Sequence, residues 1–342
     1  MINFRRREAI LKCIGVCGGI VPAVMRSSVL SSDSFGSVHS ERELGLTALG
    51  DGRRDATSAI QSLIDSFRDG GGEISIPSGT YSINADIGVS LHSGVHLKLA
   101  SDAILVAQAS KSASYAVIRI VGVKDASVIG GRIRGDRDIH IGAGGEWGMG
   151  VLILGSENIT ISNVSASGCW GDGFYIGSLT RGRLRSLCRG VNLIEVISTN
   201  NRRQGLSITG CQTAKVIGSS FSSTGGTPPS TGIDLEPNAS DLVDDVLIEN
   251  CIVSNNTGFG IVASKGSSNI EIANCTISEN GKYGIYLAGA RQVHVFRNNV
   301  AGNRHYDIVV DAKSKDFTLS ENSVTKLEAS GSLAKRVLVQ KK

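Results

Sequence analysis

The chain has 342 residues, 41% of them hydrophobic, with 43 glycines and only 5 prolines; it can bury an extended apolar core, is poor in helix formers and is not a disordered polymer. Its formal charge of +4 sits in the first 26 residues, where Arg5, Arg6, Arg7, Lys12 and Arg26 stand against Glu8, and beyond them 30 basic residues face 30 acidic ones. That balance excludes a nucleic-acid partner, which needs a concentrated cationic face.

The N-terminus reads as an export signal over residues 1–28: basic Arg5–Arg7, a weakly apolar stretch from Ala9 to Met25, then a Ser-rich segment. The paired arginines before Ala9-Ile10-Leu11-Lys12 resemble a twin-arginine signal. Lys12 interrupts a run too short to span a bilayer comfortably, so a periplasmic or secreted protein with no stable membrane association after signal removal is expected. Residues 29–43 read as a linker, 44–330 as one structural domain and 331–342 as a tail.

The domain opens with Gly50-Asp51-Gly52, a helical stretch from Ala56 to Phe67 that places Ile60, Leu63, Ile64 and Phe67 on one face, Gly70-Gly71-Gly72, and Pro77-Ser78-Gly79-Thr80-Tyr81. A helix here would cover the open end of a stacked array. From about residue 115 one phrase returns every 23 to 32 residues, a Gly or its equivalent followed by apolar, variable, apolar. It stands at Gly150-Val151-Leu152-Ile153, Gly173-Phe174-Tyr175-Ile176, Gly205-Leu206-Ser207-Ile208, Gly232-Ile233-Asp234-Leu235, Gly260-Ile261-Val262-Ala263, Gly284-Ile285-Tyr286-Leu287 and Asp307-Ile308-Val309-Val310. A period of this size means stacked units that bury their apolar sides against one another. Each repeat also carries a strand ending in Asn, such as Ile270-Glu271-Ile272-Ala273-Asn274, and Asn at a repeated bend tolerates left-handed angles and can form a ladder. The expected fold is all-β, a single-stranded right-handed parallel β-helix with an N-terminal capping helix. Cys169, Cys188, Cys211, Cys251 and Cys275 show no CxxC and no His at ligand spacing, which points away from zinc and toward small buried side chains.

The Gly-Asp-Gly, helix, Gly-Gly-Gly, strand and Pro-x-Gly-Thr-Tyr succession, with the repeats after it, resembles the pectate-lyase-like superfamily over roughly residues 44–326. The resemblance implies carbohydrate-active proteins of several chemistries: hydrolases, lyases, epimerases and phage-type depolymerases. Cys169-Trp170-Gly171-Asp172-Gly173-Phe174 is similar to the Asn-Thr-Asp-Gly segment of polygalacturonases, which implies a catalytic Asp172. Where that family has an Asp-Asp pair this chain has Asn200-Asn201-Arg202-Arg203-Gln204-Gly205, and neither Gly-His-Gly nor Arg-x-Lys follows in register. Similarity to pectate lyases would make Arg203 a base beside calcium held by Asp172, Asp234 and Glu236. The epimerase Asp-Pro-His motif is absent.

With coils about 4.8 Å apart, the variable residues of the phrase line up as an outward column Leu152, Tyr175, Ser207, Asp234, Val262, Tyr286. Asp172 then lies roughly 10 Å from Asp234, near the upper end of the roughly 6.5–9.5 Å used by inverting glycosidases. Asp234 and Glu236 fall on one exposed face of one strand, and their repulsion calls for a cation, for which Arg203 is nearest. Insertions at 136–147, 178–189 and 224–230 would build a binding surface, the second carrying Arg181, Arg183, Arg185 and Arg189 for a polyanion. Trp147, Trp170, Tyr175 and Tyr286 offer rings for sugars, and Asn201, Arg202 and Gln204 offer polar contacts; His140, His294 and His305 are isolated and receive no role.

The first functional expectation is an exported glycoside hydrolase acting on a polysaccharide, with Asp234 and Glu236 as acid and base, Asp172 assisting, Arg202 and Arg203 binding substrate, and no cofactor or metal. The second is a polysaccharide lyase with Arg203 as base and calcium on the acids. The third is a non-catalytic carbohydrate-binding surface protein.

Overall fold

A computed structural model describes residues 45–238 and 240–329 and the backbone of 337–340. The export signal and linker assigned to residues 1–43 lie outside the described residues. No helix among the described residues is long and apolar enough to cross a membrane.

The chain winds into a parallel β-helix with three strand-bearing faces per coil. The first face is a ten-stranded parallel sheet built from the repeated phrase, including Trp147–Leu154, Phe174–Gly177, Gln204–Ile208, Thr231–Leu235, Ile261–Ser264, Ile285–Ala288 and Ile308–Val310. A second face runs through Cys188–Ile194, Cys211–Ile217, Val243–Glu249, Ser267–Ala273 and Arg291–Phe296, and a third through short strands such as Ile197–Thr199, Ser220–Ser222 and Ile252–Ser254. The expected column is the one observed: Leu152, Tyr175, Ser207, Asp234, Val262, Tyr286 and Val309 are successive partners across the first face. Their neighbours Ile153, Ile176, Leu206, Ile208, Ile233 and Leu235 point the other way, into a continuous core.

The glycine of the phrase follows from this stacking. A Cβ on Gly150, Gly205, Gly260 or Gly284 would lie 2.6, 2.5, 2.4 or 2.6 Å from the carbonyl oxygen of the equivalent residue one coil on, closer than any real contact. Asp307 takes the same place near the far end, where its Oδ2 instead accepts hydrogen bonds from the Thr325 and Lys326 N–H groups, each at 2.9 Å.

Asn163, Asn250 and Asn274 are left-handed at the bend between the second and third faces, with φ of 54–56°. The ladder, however, is formed by the residues that follow the left-handed ones. At the other bend Asn256 Nδ2 donates to Asn280 Oδ1 and Asn280 Nδ2 to Asn303 Oδ1, each at 2.9 Å. At the first bend Cys251, Cys275, Asn298 and Asn322 form the file, so the two cysteines fill ladder positions as small buried side chains. All five cysteines from Cys169 onward are buried and free.

The capping helix covers Thr57–Asp65, shorter at both ends than the expected Ala56 to Phe67, and buries Ile60, Leu63 and Ile64. Asp55 Oδ1 accepts the Thr57 N–H at 2.9 Å just ahead of the helix, whose N-cap position is Ala56. At the other end the strand Val337–Gln340, within the stretch assigned to the tail, pairs in parallel with Lys315–Val324.

Candidate functional site

On its outer side the first face changes character along the axis. The early coils present a second apolar cluster containing Met149, Leu152, Leu154, Tyr175 and Leu179. The middle coils are polar, with Asp172, Arg203, Gln204, Ser207 and Asp234. The late coils are aromatic.

Asp172 precedes Phe174–Gly177 and is fully buried, and Arg203, one coil on, is 2% exposed. Arg203 Nη1 donates to Asp172 Oδ1 at 2.8 Å and Oδ2 at 2.7 Å, and Ser207 Oγ donates to Oδ2 at 2.7 Å. Burial alone would lower the proton affinity of this guanidinium, but Asp172, with Glu146, Tyr175 and Asp234, holds it above its ordinary value. Arg203 is therefore a permanent cation whose first partner is Asp172. Asp234 also lies close enough to help hold the guanidinium protonated, as expected of the cation nearest to it, and its Oδ2 accepts a hydrogen bond from Gln204 Nε2 at 2.6 Å. Gln204 Oε1 in turn accepts the Thr231 N–H at 2.7 Å, so the amide ties the Asp234 strand to its predecessor.

The outward carboxylates are not on an open surface, since Asp234 is 3% exposed. Glu236 follows the strand end, half-buried, with its N–H on the Ile208 carbonyl at 3.0 Å. The structure thus brings Asp172, Arg203, Gln204, Ser207 and Asp234 into one connected cluster and sets Glu236 two residues beyond Asp234 on the same coil.

The remaining expected contacts fall elsewhere. Asn201 is fully buried: its Oδ1 accepts the Cys169 N–H at 2.9 Å and its Nδ2 donates to Ser198 Oγ at 2.9 Å, which makes it part of the bend. Tyr175 accepts a hydrogen bond from Thr209 Oγ1 at 2.8 Å, and Trp147 is 9% exposed within the second apolar cluster. Arg202 lies with its guanidinium 3.7 Å from the Trp170 ring and donates to the Gly145 and Trp170 carbonyls at 3.1 and 3.2 Å. The rings of Trp147, Trp170 and Tyr175 are packed, not presented. The basic insertion is partly committed too: Arg185 donates to Ser178, Ser240 and Asp241, and Arg189 to Gln212.

His140, left without a role by the sequence, stacks on Trp170 with centroids 4.0 Å apart and an interplanar angle of 16°. Its Nδ1 is 2.7 Å from Asp136 Oδ2, while Tyr115 donates its hydroxyl proton to Asp136 Oδ1 and accepts the Trp170 N–H at 3.2 Å. Burial, with Cys169 and Asp136, pushes the Tyr115 hydroxyl well above its usual range, so it stays a donor. This buttress holds the backbone two residues before Asp172. Its only sequence signal was a His four residues after an Asp inside an insertion.

Calcium does not fit at Asp172, because Arg203 and Ser207 occupy its oxygens. Among the described residues no group of three or more His, Cys, Asp or Glu side chains has metal-site geometry.

The model of the right-handed beta helix region matches residues 78–240 and 204–335, and the chain belongs to that family. The chain is 28% identical over 238 residues to the uncharacterized protein YclG of Bacillus subtilis strain 168, covering 63% of this chain and 41% of that protein. It thus spans about two fifths of the length of the curated relatives it matches. Among solved structures it is similar to the A-module of the mannuronan C-5 epimerase AlgE6 of Azotobacter vinelandii, with a TM-score of 0.60, 18% identity, and coverage of 88% of this chain and 89% of that one. It is also similar to PfbA, a surface adhesin of Streptococcus pneumoniae, with a TM-score of 0.64, 16% identity, and coverage of 83% and 80%. At these identities the likeness is one of fold.

Proposed function

We propose that the protein is an exported glycoside hydrolase that cleaves a uronate-containing polysaccharide, with Asp234 and Glu236 as its working carboxylates. One carboxyl group would protonate the leaving glycosidic oxygen while the other takes a proton from the attacking water, so that one C–O bond breaks and another forms. The observation that carries this reading is the Arg203–Asp172 clamp beside the Gln204–Asp234 contact, which sets a fixed positive charge next to an oriented carboxylate. Gln204 would hold Asp234 in place, and Asp172 would fix Arg203. Tyr286, at the edge of this cluster in the same column, would meet a sugar ring.

Two observations favour hydrolysis over elimination. A lyase base must shed a proton, and Asp172 raises the proton affinity of Arg203. A calcium-assisted lyase needs carboxylate oxygens that Arg203 and Ser207 occupy here. The epimerase similarity supports a polymeric uronate as substrate, and the adhesin similarity supports a surface role without chemistry. Incubation with polygalacturonate, alginate and dextran, reading reducing ends and ultraviolet-absorbing unsaturated ends together, tests the proposal. Reducing ends without unsaturation, lost in Asp234→Asn, support it; unsaturated ends, or equal cleavage by both proteins, overturn it. Export depends on residues 1–28 and is tested by following cleavage and translocation of the full chain.

A further inference from the structure

The bend that carries Asp172 continues along the axis as a single file, one residue per coil: Asp172, Gln204, Thr231, Phe259, Tyr283 and Tyr306, linked through the backbone hydrogen bonds of the adjoining glycines and by the Gln204–Thr231 register. Its first half is the polar cluster and its second half is aromatic. Tyr283 lies at the centre, 5.5 Å from Phe259, 5.4 Å from Tyr286 and 6.1 Å from both Tyr306 and His305 between ring centroids. Phe259 and Tyr286 stack at 5.6 Å, and Lys282 Nζ sits 4.7 Å from the Phe259 centroid. Tyr306 is 38% exposed, and Lys282, Arg304 and His305 beside it are exposed.

We infer that these rings form a glycan-binding platform that seats uronate units of the polymer on the C-terminal side of the Asp234 cluster; the inference rests on the hydrolase reading for its choice of ligand. Ring faces and phenolic hydroxyls match the mixed apolar and hydroxylated faces of a sugar, and the platform costs little rotamer entropy because its rings already pack on one another. Lys282 and Arg304 supply cations at its rim for uronate carboxylates. Coils rise about 4.8 Å each, so the file from Thr231 to Tyr306 runs roughly 14 Å along the axis, long enough for more than one sugar.

Native gels cast with polygalacturonate, alginate or dextran test it, using the wild type, Tyr283→Ala, Tyr306→Ala, Tyr283→Phe and Asp234→Asn, with urea midpoints to confirm that each variant folds. The platform predicts retardation in an anionic polymer that weakens roughly tenfold in each alanine variant, survives in Tyr283→Phe, and appears as a raised KM with kcat little changed. Equal retardation of the wild type and both alanine variants overturns it, as does a wild type retarded by none of the three polymers. Asp234→Asn separates the two proposals: if it is retarded normally and releases as many reducing ends as the wild type, the hydrolase reading falls and the platform stands. Loss of cleavage in Asp234→Asn with unchanged retardation of the tyrosine variants means the reverse.

Discussion

Arg203 holds Asp172 through one nitrogen, with Nη1 at 2.8 and 2.7 Å from the two carboxylate oxygens and both side chains almost fully withdrawn from water. Removing one member of such a pair strands a buried charge and costs about 3–5 kcal/mol, whereas removing both does not. Arg203→Met is expected to lower stability by about that amount, and Asp172→Asn with Arg203→Met to recover at least half of it, as read from urea denaturation midpoints. A double variant as unstable as the sum of its single variants would contradict the clamp.

The glycines of the repeated phrase are fixed by the carbonyl one coil away. Gly260→Ala, whose Cβ would meet the Gly284 oxygen at 2.4 Å, is expected to destabilise by about 3 kcal/mol or more. Gly144→Ala, with nothing within 4 Å, is expected to stay within about 0.5 kcal/mol of the wild type. Similar midpoints for the two would refute the stacking account.

Asp307 closes the last full coils. Burial would raise its carboxyl, but hydrogen bonds from Thr325, Lys326 and Asn303 outweigh this and hold it below its usual value of 3.8. A depressed carboxyl stabilises the fold above its unfolded value, and that contribution is lost as pH falls through the folded one. Asp307→Asn should therefore lower stability at neutral pH and flatten the loss of stability below about pH 4, checked by thermal unfolding from pH 2 to 7. An unchanged acid limb would count against the cap.

A buried thiol gives a test at the alkaline end. Burial pushes Cys188 up to about 11, against 9.0 for the ordinary thiol. Its folded value is raised, so the stability it confers is complete below pH 9 and declines as pH climbs toward 11. Cys188→Ala should show a shallower decline between those limits, and the native wild type should react with a thiol reagent at Cys188 only as fast as it opens. Rapid labelling of Cys188 in the native protein would contradict its burial.

The outward column was legible because a strand has a period of two: once Ile233 and Leu235 face the core, Asp234 must face away, and the glycine fixes the register from coil to coil. A third left-handed position recurs once per coil without an Asn signature. Asp125, Asn158, Thr213, Asp245, Asn269, Gln292 and Asp316, each just before the apolar alternation of the second face, have φ of 52–67°. The position alternates among Asp, Asn, Thr and Gln, so its period is carried by polarity and not by one residue type. The partners of Asp172 could not be found that way, since Arg203 and Ser207 are 31 and 35 residues distant and an arginine can reach several acids. The Tyr115–Asp136–His140–Trp170–Arg202 buttress joins residues from separate coils and an insertion with no period to align. Asn201, Trp147 and Tyr175 were assigned to sugar by residue type, although the same types also satisfy buried bends and fill apolar clusters.

Whether Asp234 works on a glycosidic bond is read from the initial rate of reducing-end release from polygalacturonate and alginate by the wild type and Asp234→Asn. The wild type is expected to cleave at least one polymer without unsaturated ends, and the variant to be slower by roughly a hundredfold or more at an unchanged urea midpoint. Equal rates for the two proteins, or no release from either polymer by the wild type, would contradict it.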